Sequence, residues 1–219
     1  MTPANIVNMA KLLELDIIAV TDHSSCKNCP AVYSYANKNN IIAIPGMELC
    51  TLEEVHVLCF FSELENAMSF DKYVYERLIK VHNKEDIFGR QEIYNDEDCK
   101  TGDEPYLLIN ATDISFGELD KLMKEYEGVY VPAHIDKGSN SLLSNLGFVP
   151  PDAQFVCAEV KDMNKADTLC MMHPYLSQCR IITNSDAHTL DRMNEADNFL
   201  EVEERSREAV IKALLSVTI

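Results

Sequence analysis

Short apolar runs alternate with amphipathic stretches along most of this chain, and that alternation is the first clue to its fold. Thr2 is placed to cap an opening helix with Pro3 at its first position, and Ile6, Met9, Ala10 and Leu13 form its apolar stripe. Ile17-Ile18-Ala19-Val20 then reads as a buried strand ending at Thr21-Asp22-His23. A helix is predicted over residues 30–38, then a strand over 41–44 ending at Pro45-Gly46-Met47-Glu48, a strand over 55–60, and a helix over 63–80.

Between residues 81 and 105 the pattern loosens. The segment is polar and acidic (Glu92, Asp96, Glu97, Asp98, Asp103, Glu104) and contains Gly89 and Gly102, which predicts either an insertion or lid over the site or a solvated loop. Alternation resumes with a helix over 115–126, a strand over 129–133 followed by His134, and strands over 155–158 and 180–183. The last of these leads into Ser185-Asp186-Ala187-His188. A short strand around Phe199-Leu200 and a closing helix, capped by Ser206 and ending near Leu215, complete the chain. Alternating strands and helices argue for an α/β fold with a parallel sheet covered by helices, in one domain over residues 1–219.

Composition narrows the class. Apolar residues are 47% and charged residues 25% of the 219, an ordinary globular balance. No apolar run approaches the roughly 20 residues needed to cross a bilayer, and the first residues lack the basic start and apolar core of a secretory signal. A soluble, cytoplasmic protein without a membrane partner is expected. The eight cysteines then read as free thiols rather than a disulfide framework. Cys26 and Cys29 make a C-x-x-C pair, open to redox or zinc readings, but no second such pair completes a four-sulfur site.

The formal charge of −17, from 19 basic and 36 acidic residues, disfavours extended nucleic acid, whose binding draws on Lys and Arg against phosphates. Small phosphorylated substrates and short oligonucleotides remain compatible.

The histidines carry the chemistry. His23, His134 and His188 each follow a short apolar strand, His56 lies inside another, and Glu48 and Asp186 also fall at strand ends. In a β/α scaffold the strand ends converge on one face, so residues distant in sequence reach one small volume. Imidazole nitrogen and carboxylate oxygen are ligands for zinc, manganese and iron, and a carboxylate can bridge two ions.

Five elements in order resemble one family, the PHP (polymerase and histidinol phosphatase) domain. They are the strand ending in Thr21-Asp22-His23, Pro45-Gly46-Met47-Glu48, the Glu-Val-His around His56, the strand ending in Ala133-His134, and Ser185-Asp186-Ala187-His188. The resemblance implies a distorted, TIM-like β/α barrel with up to three divalent ions at its mouth. It implies that Glu48 bridges two ions, joined by His56 and His134 on one of them. His23 and His188 would hold a second, and Asp186, with Glu48 shared, the remaining one.

The family pattern also begins with a strand bearing H-x-H and a further histidine, whereas this chain starts at Met1, just ahead of the helix that follows them. A start site placed too late, or a shortened chain, is the expected cause. One ion then keeps Glu48, His56 and His134, a second loses one histidine, and the third loses both, so fewer than three ions are expected. The missing first strand would leave an open edge beside residues 17–20, an invitation to homodimerise.

The implied activity is hydrolysis of phosphate esters by a metal-activated hydroxide, with Glu48, Asp186 and His188 in catalytic roles. Two rivals stand beside it: an inactive or regulatory remnant of the family, and a metal-dependent amidohydrolase. His82 and His173 match no motif and are expected at the surface. Asp22 is expected to support its loop, and Asp136 and Lys137 either to touch substrate or to be solvated.

Overall fold

The computed structural model describes residues 1–216 and is built around a mixed four-stranded sheet. Helix α1 (Pro3–Leu12) starts as its cap predicts, with the Thr2 hydroxyl accepting the Asn5 N–H. Its buried line is Pro3, Val7 and Ala10. Val7 therefore replaces Met9 and Leu13 at the centre of the expected stripe, because the helix meets strand β1 (Ile17–Val20) and helix α2 (Cys29–Lys38) along that line.

Strand β2 (Ile42–Cys50) runs straight through the Pro-Gly-Met-Glu segment that was expected to end it. Five residues then turn the chain into β3 (His56–Phe61), which pairs antiparallel with β2. A parallel partner would need a crossover of a dozen residues or more, and residues 51–55 are too few. Helix α3 (Leu64–Arg77) follows, and β6 (Gly128–Pro132) pairs antiparallel with the far side of β3.

The sheet order is β1-β2-β3-β6, parallel only between β1 and β2. The expected all-parallel sheet is thus corrected to a mixed one. Strands β7 (Cys157–Glu159) and β8 (Arg180–Ile182) form a separate parallel pair. The Ile135 N–H donates to the Glu159 carbonyl at 2.8 Å and ties that pair to the chain leaving β6. Among the described residues no sheet closes on itself, so the fold is mixed α/β with small sheets rather than a closed TIM-like barrel.

Both faces of β2, β3 and β6 are buried. Met47, Leu49, Val57, Cys59 and Phe61 pack one way against Ala67, Phe70 and Val74 of α3 and Leu119 and Leu122 of α5 (Leu119–Glu125). Ile44, Leu58, Phe60, Val131 and Ala133 face the other way, against Val210 of the closing helix α8 (Arg207–Leu215). Near-continuous apolar runs in these strands reflect that two-sided burial. Gly46 has a local reason: a Cβ there would stand 2.5 Å from the Cys59 carbonyl oxygen, so the bare backbone lets β2 and β3 meet.

The loosened segment is not structureless. It holds a short helix α4 (Glu85–Phe88) and a hairpin of β4 (Glu92–Tyr94) and β5 (Lys100–Asp103). Asp98 at the hairpin tip accepts from the Thr2 hydroxyl at 2.7 Å and the Ala4 N–H at 3.1 Å, while Asn28 exchanges hydrogen bonds with Glu92 and Tyr94.

Two short helices went unread in the sequence, α6 (Leu142–Leu146) and α7 (Ala166–Met172). No strand forms at Phe199-Leu200, where Phe199 points outward amid Asp197, Asn198 and Glu201. No described helix is long and apolar enough to cross a membrane.

Candidate metal centre

The ladder between β1 and β2 continues past its last regular pair to set His23 against Glu48. The Glu48 N–H donates to the Asp22 carbonyl at 3.1 Å and the Ser24 N–H donates back to the Glu48 carbonyl at 2.9 Å. On the other side of β2, Cys50 pairs with His56. The β3–β6 ladder extends likewise, with the Ala133 N–H donating to the His56 carbonyl at 3.0 Å, and so brings His134 alongside. Strand pairing alone, from four separate segments, assembles the cluster.

At its centre Glu48 meets three imidazoles. Its Oε1 lies 3.1 Å from both His56 Nδ1 and His134 Nε2, and its Oε2 lies 3.2 Å from His23 Nδ1. Glu48, His56 and His134 are buried and His23 is half-buried. Burial alone would push the Glu48 carboxyl up, but hydrogen bonds from His134 and His56 and the potential of His23 outweigh it. The net result is a carboxyl held well below the usual range, an anion at all ordinary pH. Burial lowers the His23 imidazole, against the opposing pull of Glu48, which favours its neutral, ligand-competent form.

His188 completes the line, its ring centroid 6.1 Å from that of His23. Its side chain is largely exposed, whereas Asp186 beside it is mostly covered and paired with Lys137 Nζ at 2.6 Å. His134 and Asp186 both have positive φ (33° and 49°), as does Ser24 (44°) after His23. Such backbone is costly for non-glycine residues and persists where its surroundings over-determine it.

The donor set suits a divalent cation. Ligand atoms of His23, Glu48 and His56 all lie within 4.8 Å of one another. His23 Nδ1 is buried near the carboxylate yet makes no hydrogen bond, as does His134 Nδ1 on its outer side. A lone pair aimed beside an anion, but out of hydrogen-bond alignment, is what a cation between the two would use. This grouping joins His23 to Glu48 and His56, whereas the sequence resemblance assigns His23 and His56 to different ions.

Two supporting residues, Glu159 and Asn140, escaped the sequence reading, and a third, Asp136, was given a different role there. Glu159, buried at the end of β7, accepts the His134 backbone N–H at 3.0 Å and the Asn184 amide at 2.7 Å. Asn140 donates to His56 Nε2 at 3.2 Å and accepts the His56 backbone N–H on its carbonyl. Asp136 accepts the N–H groups of Lys161 and Asp162, with its side chain 2% exposed, so it is not a solvated loop residue. The one available signal was an acid inside the apolar run Val156-Cys157-Ala158-Glu159-Val160.

Asp22 supports its loop as expected, its carboxylate accepting from Asn28 at 2.9 Å. His82 is exposed against Tyr106, and His173 is half-buried at the end of α7. Cys26 and Cys29 are buried and both donate to the Gly46 carbonyl, and the neighbouring Cys29 together with burial pushes the Cys26 thiol up. A thiol held protonated is a poor nucleophile. A surface cleft of about 390 Å³, lined by Phe116, Asp120, Lys121, Tyr130, Asp152 and Gln154 among others, contains none of the candidate residues.

No protein-family profile matches the chain, and no curated protein sequence matches it. Solved structures do. The lesion-specific endonuclease PfuEndoQ from Pyrococcus furiosus superposes with a TM-score of 0.64 at 20% identity, over 98% of this chain and 51% of that one. An Endonuclease Q complex with a 27-mer duplex carrying an abasic lesion at the active site also gives 0.64, at 19% identity. A candidate metal-dependent phosphoesterase from Bifidobacterium adolescentis gives 0.58 at 15% identity, over 95% of this chain and 90% of that one. The present chain spans about half the length of the endonuclease. At these identities the likeness is one of fold, and it places a mixed α/β chain with a His-Glu-His cluster among structures that include metal-dependent and nucleic-acid hydrolases.

Proposed function

We propose that the chain is a metal-dependent phosphoesterase of the PHP type. The observation that carries this reading is Glu48, a buried carboxylate with three imidazoles from three other segments at 3.1–3.2 Å. Glu48, His23, His56 and His134 would hold the metal, with Asp186 and His188 completing the rim. Divalent manganese, iron or zinc bound there supplies Lewis-acid charge and lowers the pKa of bound water.

The protein's own residues do the rest. Glu48 keeps its charge without a proton to lose. The Asn140 and Glu159 hydrogen bonds hold the His56 ring and the His134 backbone in place. His188, exposed and donating its Nδ1–H to the Asp186 carbonyl at 3.0 Å, presents the lone pair of Nε2, which would take a proton from the attacking water and then return it to a leaving oxygen. The docked hairpin of residues 92–103 serves as a rim element beside the loop that follows His23.

Small phosphorylated metabolites, nucleotides or short oligonucleotides fit the chain's net charge of −17. The fold shared with an endonuclease solved on a DNA duplex favours a second reading, a nucleic-acid substrate. Elemental mass spectrometry on the purified chain, with turnover of p-nitrophenyl phosphate and of a short labelled oligonucleotide, tests both. One or two metal equivalents, lost with turnover in Glu48→Gln, support the reading. Turnover unchanged in Glu48→Gln refutes it, and a chain that takes up no Mn²⁺ is a remnant of the fold without its chemistry.

A further inference from the structure

The ends of β6, β7 and β8 are fastened together by two buried acids. Glu159 joins the His134 backbone to Asn184, and Asp136 joins the loop after His134 to the loop after β7. The consequence is the placement of two ammonium groups. Lys137 reaches Asp186 Oδ2 at 2.6 Å, and Lys161 donates to the carbonyl of Ser185, the residue before it. Both cations therefore border the peptide that carries Asp186, on the rim of the Glu48 cluster. Among the described residues the Lys161 ammonium is ion-paired with no carboxylate and donates to the Ser185 carbonyl, while Asp136 holds its backbone N–H.

We propose that Lys137 and Lys161 form an anion subsite that receives the non-ester oxygens of a phosphate monoester, and that they select monoesters over diesters. This rests on the phosphoesterase reading above, whose cluster adjoins Asp186 through His188. A monoester presents three non-ester oxygens and close to two negative charges near neutral pH, whereas a diester presents two oxygens and one charge. Two ammonium groups beside a cation-binding cluster match the first. Lysine supplies three donors, so Lys137 retains donors for a ligand while touching Asp186. Asp136 is a positioning residue here: it contacts the Lys161 backbone and fixes where the ammonium begins.

The test is calorimetric binding of inorganic phosphate and of dimethyl phosphate to the Mn²⁺-loaded full chain, as wild type, Lys161→Met and Lys137→Met. Metal content and thermal midpoint are measured on each. The Lys161 ammonium donates only to a carbonyl, and its backbone bond to Asp136 survives substitution, so Lys161→Met is expected to keep folding and metal content and serves as the clean variant. The expected result is phosphate binding weakened about tenfold in either variant, the size of one charge-assisted hydrogen bond, and weaker binding of dimethyl phosphate with little dependence on the lysines. Phosphate affinity equal to wild type in Lys161→Met, or no phosphate binding by wild type, overturns the subsite. Dimethyl phosphate bound as tightly as phosphate overturns the monoester preference. Mn²⁺ uptake with lysine-independent phosphate binding leaves the metal reading standing and removes the subsite. Lysine-dependent phosphate binding without Mn²⁺ uptake does the reverse.

Discussion

The backbone N–H of His134 donates to the carboxylate of Glu159 at 3.0 Å, a contact across 25 positions of sequence that locks one imidazole beside Glu48 to the next strand. Removing that carboxylate in Glu159→Ala leaves the buried His134 N–H without a partner and releases the exposed Asn184 amide to solvent. An orphaned buried donor costs about 1–3 kcal/mol. For a chain of this size about 2 kcal/mol lowers the melting midpoint by roughly 4–8 °C. Glu159→Gln keeps an acceptor oxygen and should lose less than half of that. Differential scanning calorimetry checks both, and an unshifted Glu159→Ala would show that the contact contributes nothing.

Metal should stabilise the fold through the cluster. A ligand that binds only the folded state, at about 100 times its Kd, adds roughly 2.7 kcal/mol. Mn²⁺ is therefore expected to raise the melting midpoint by about 5–10 °C, and EDTA to reverse it. Glu48→Gln should abolish the shift. A shift of equal size in that variant would place the binding elsewhere.

Gly46 lies two residues before Glu48 and faces the Cys59 carbonyl. In Gly46→Ala the new methyl collides with backbone that cannot move without parting β2 from β3. Overpacking of this kind costs about 1–3 kcal/mol or more. Because Glu48 sits on β2 and His56 on β3, metal affinity should fall together with stability. A variant with wild-type melting and metal content would contradict the close approach.

Thiol reactivity should follow burial. Cys99 is exposed and should react first with iodoacetamide, and half-buried Cys170 next. Burial pushes the Cys50 and Cys157 thiols up to about 12 and Cys179 to about 11. These, with Cys26, Cys29 and Cys59, should be alkylated only after unfolding. Peptide mapping that finds Cys26 or Cys29 modified in the native protein would revive the redox reading of that pair.

Much of the candidate site could be read from sequence because its parts are local. An apolar quartet followed by His23, or by His134, announces both a strand and a polar donor at its end. The partners that hold those donors are not local. Glu159, Asp136 and Asn140 act on backbone groups supplied by pairing between distant strands, and no period or spacing in the chain encodes those meetings. The antiparallel course of β3 was available in principle, since residues 51–55 are too short for a crossover. The hairpin over 92–103 was obscured by its exposure: with both faces polar it lacks the alternation that marks a half-buried strand.

The Glu159 and Asp136 contacts carry one more consequence. Both join main chain to side chain between neighbouring loops, so the spacing of the strand ends is settled when the protein folds and before any ion arrives. The entropy of gathering these groups belongs to folding rather than to capture of the ion. Metal uptake should then be a fast, single-step event on a ready-made cage, its rate set by desolvation of the incoming ion and insensitive to solvent viscosity.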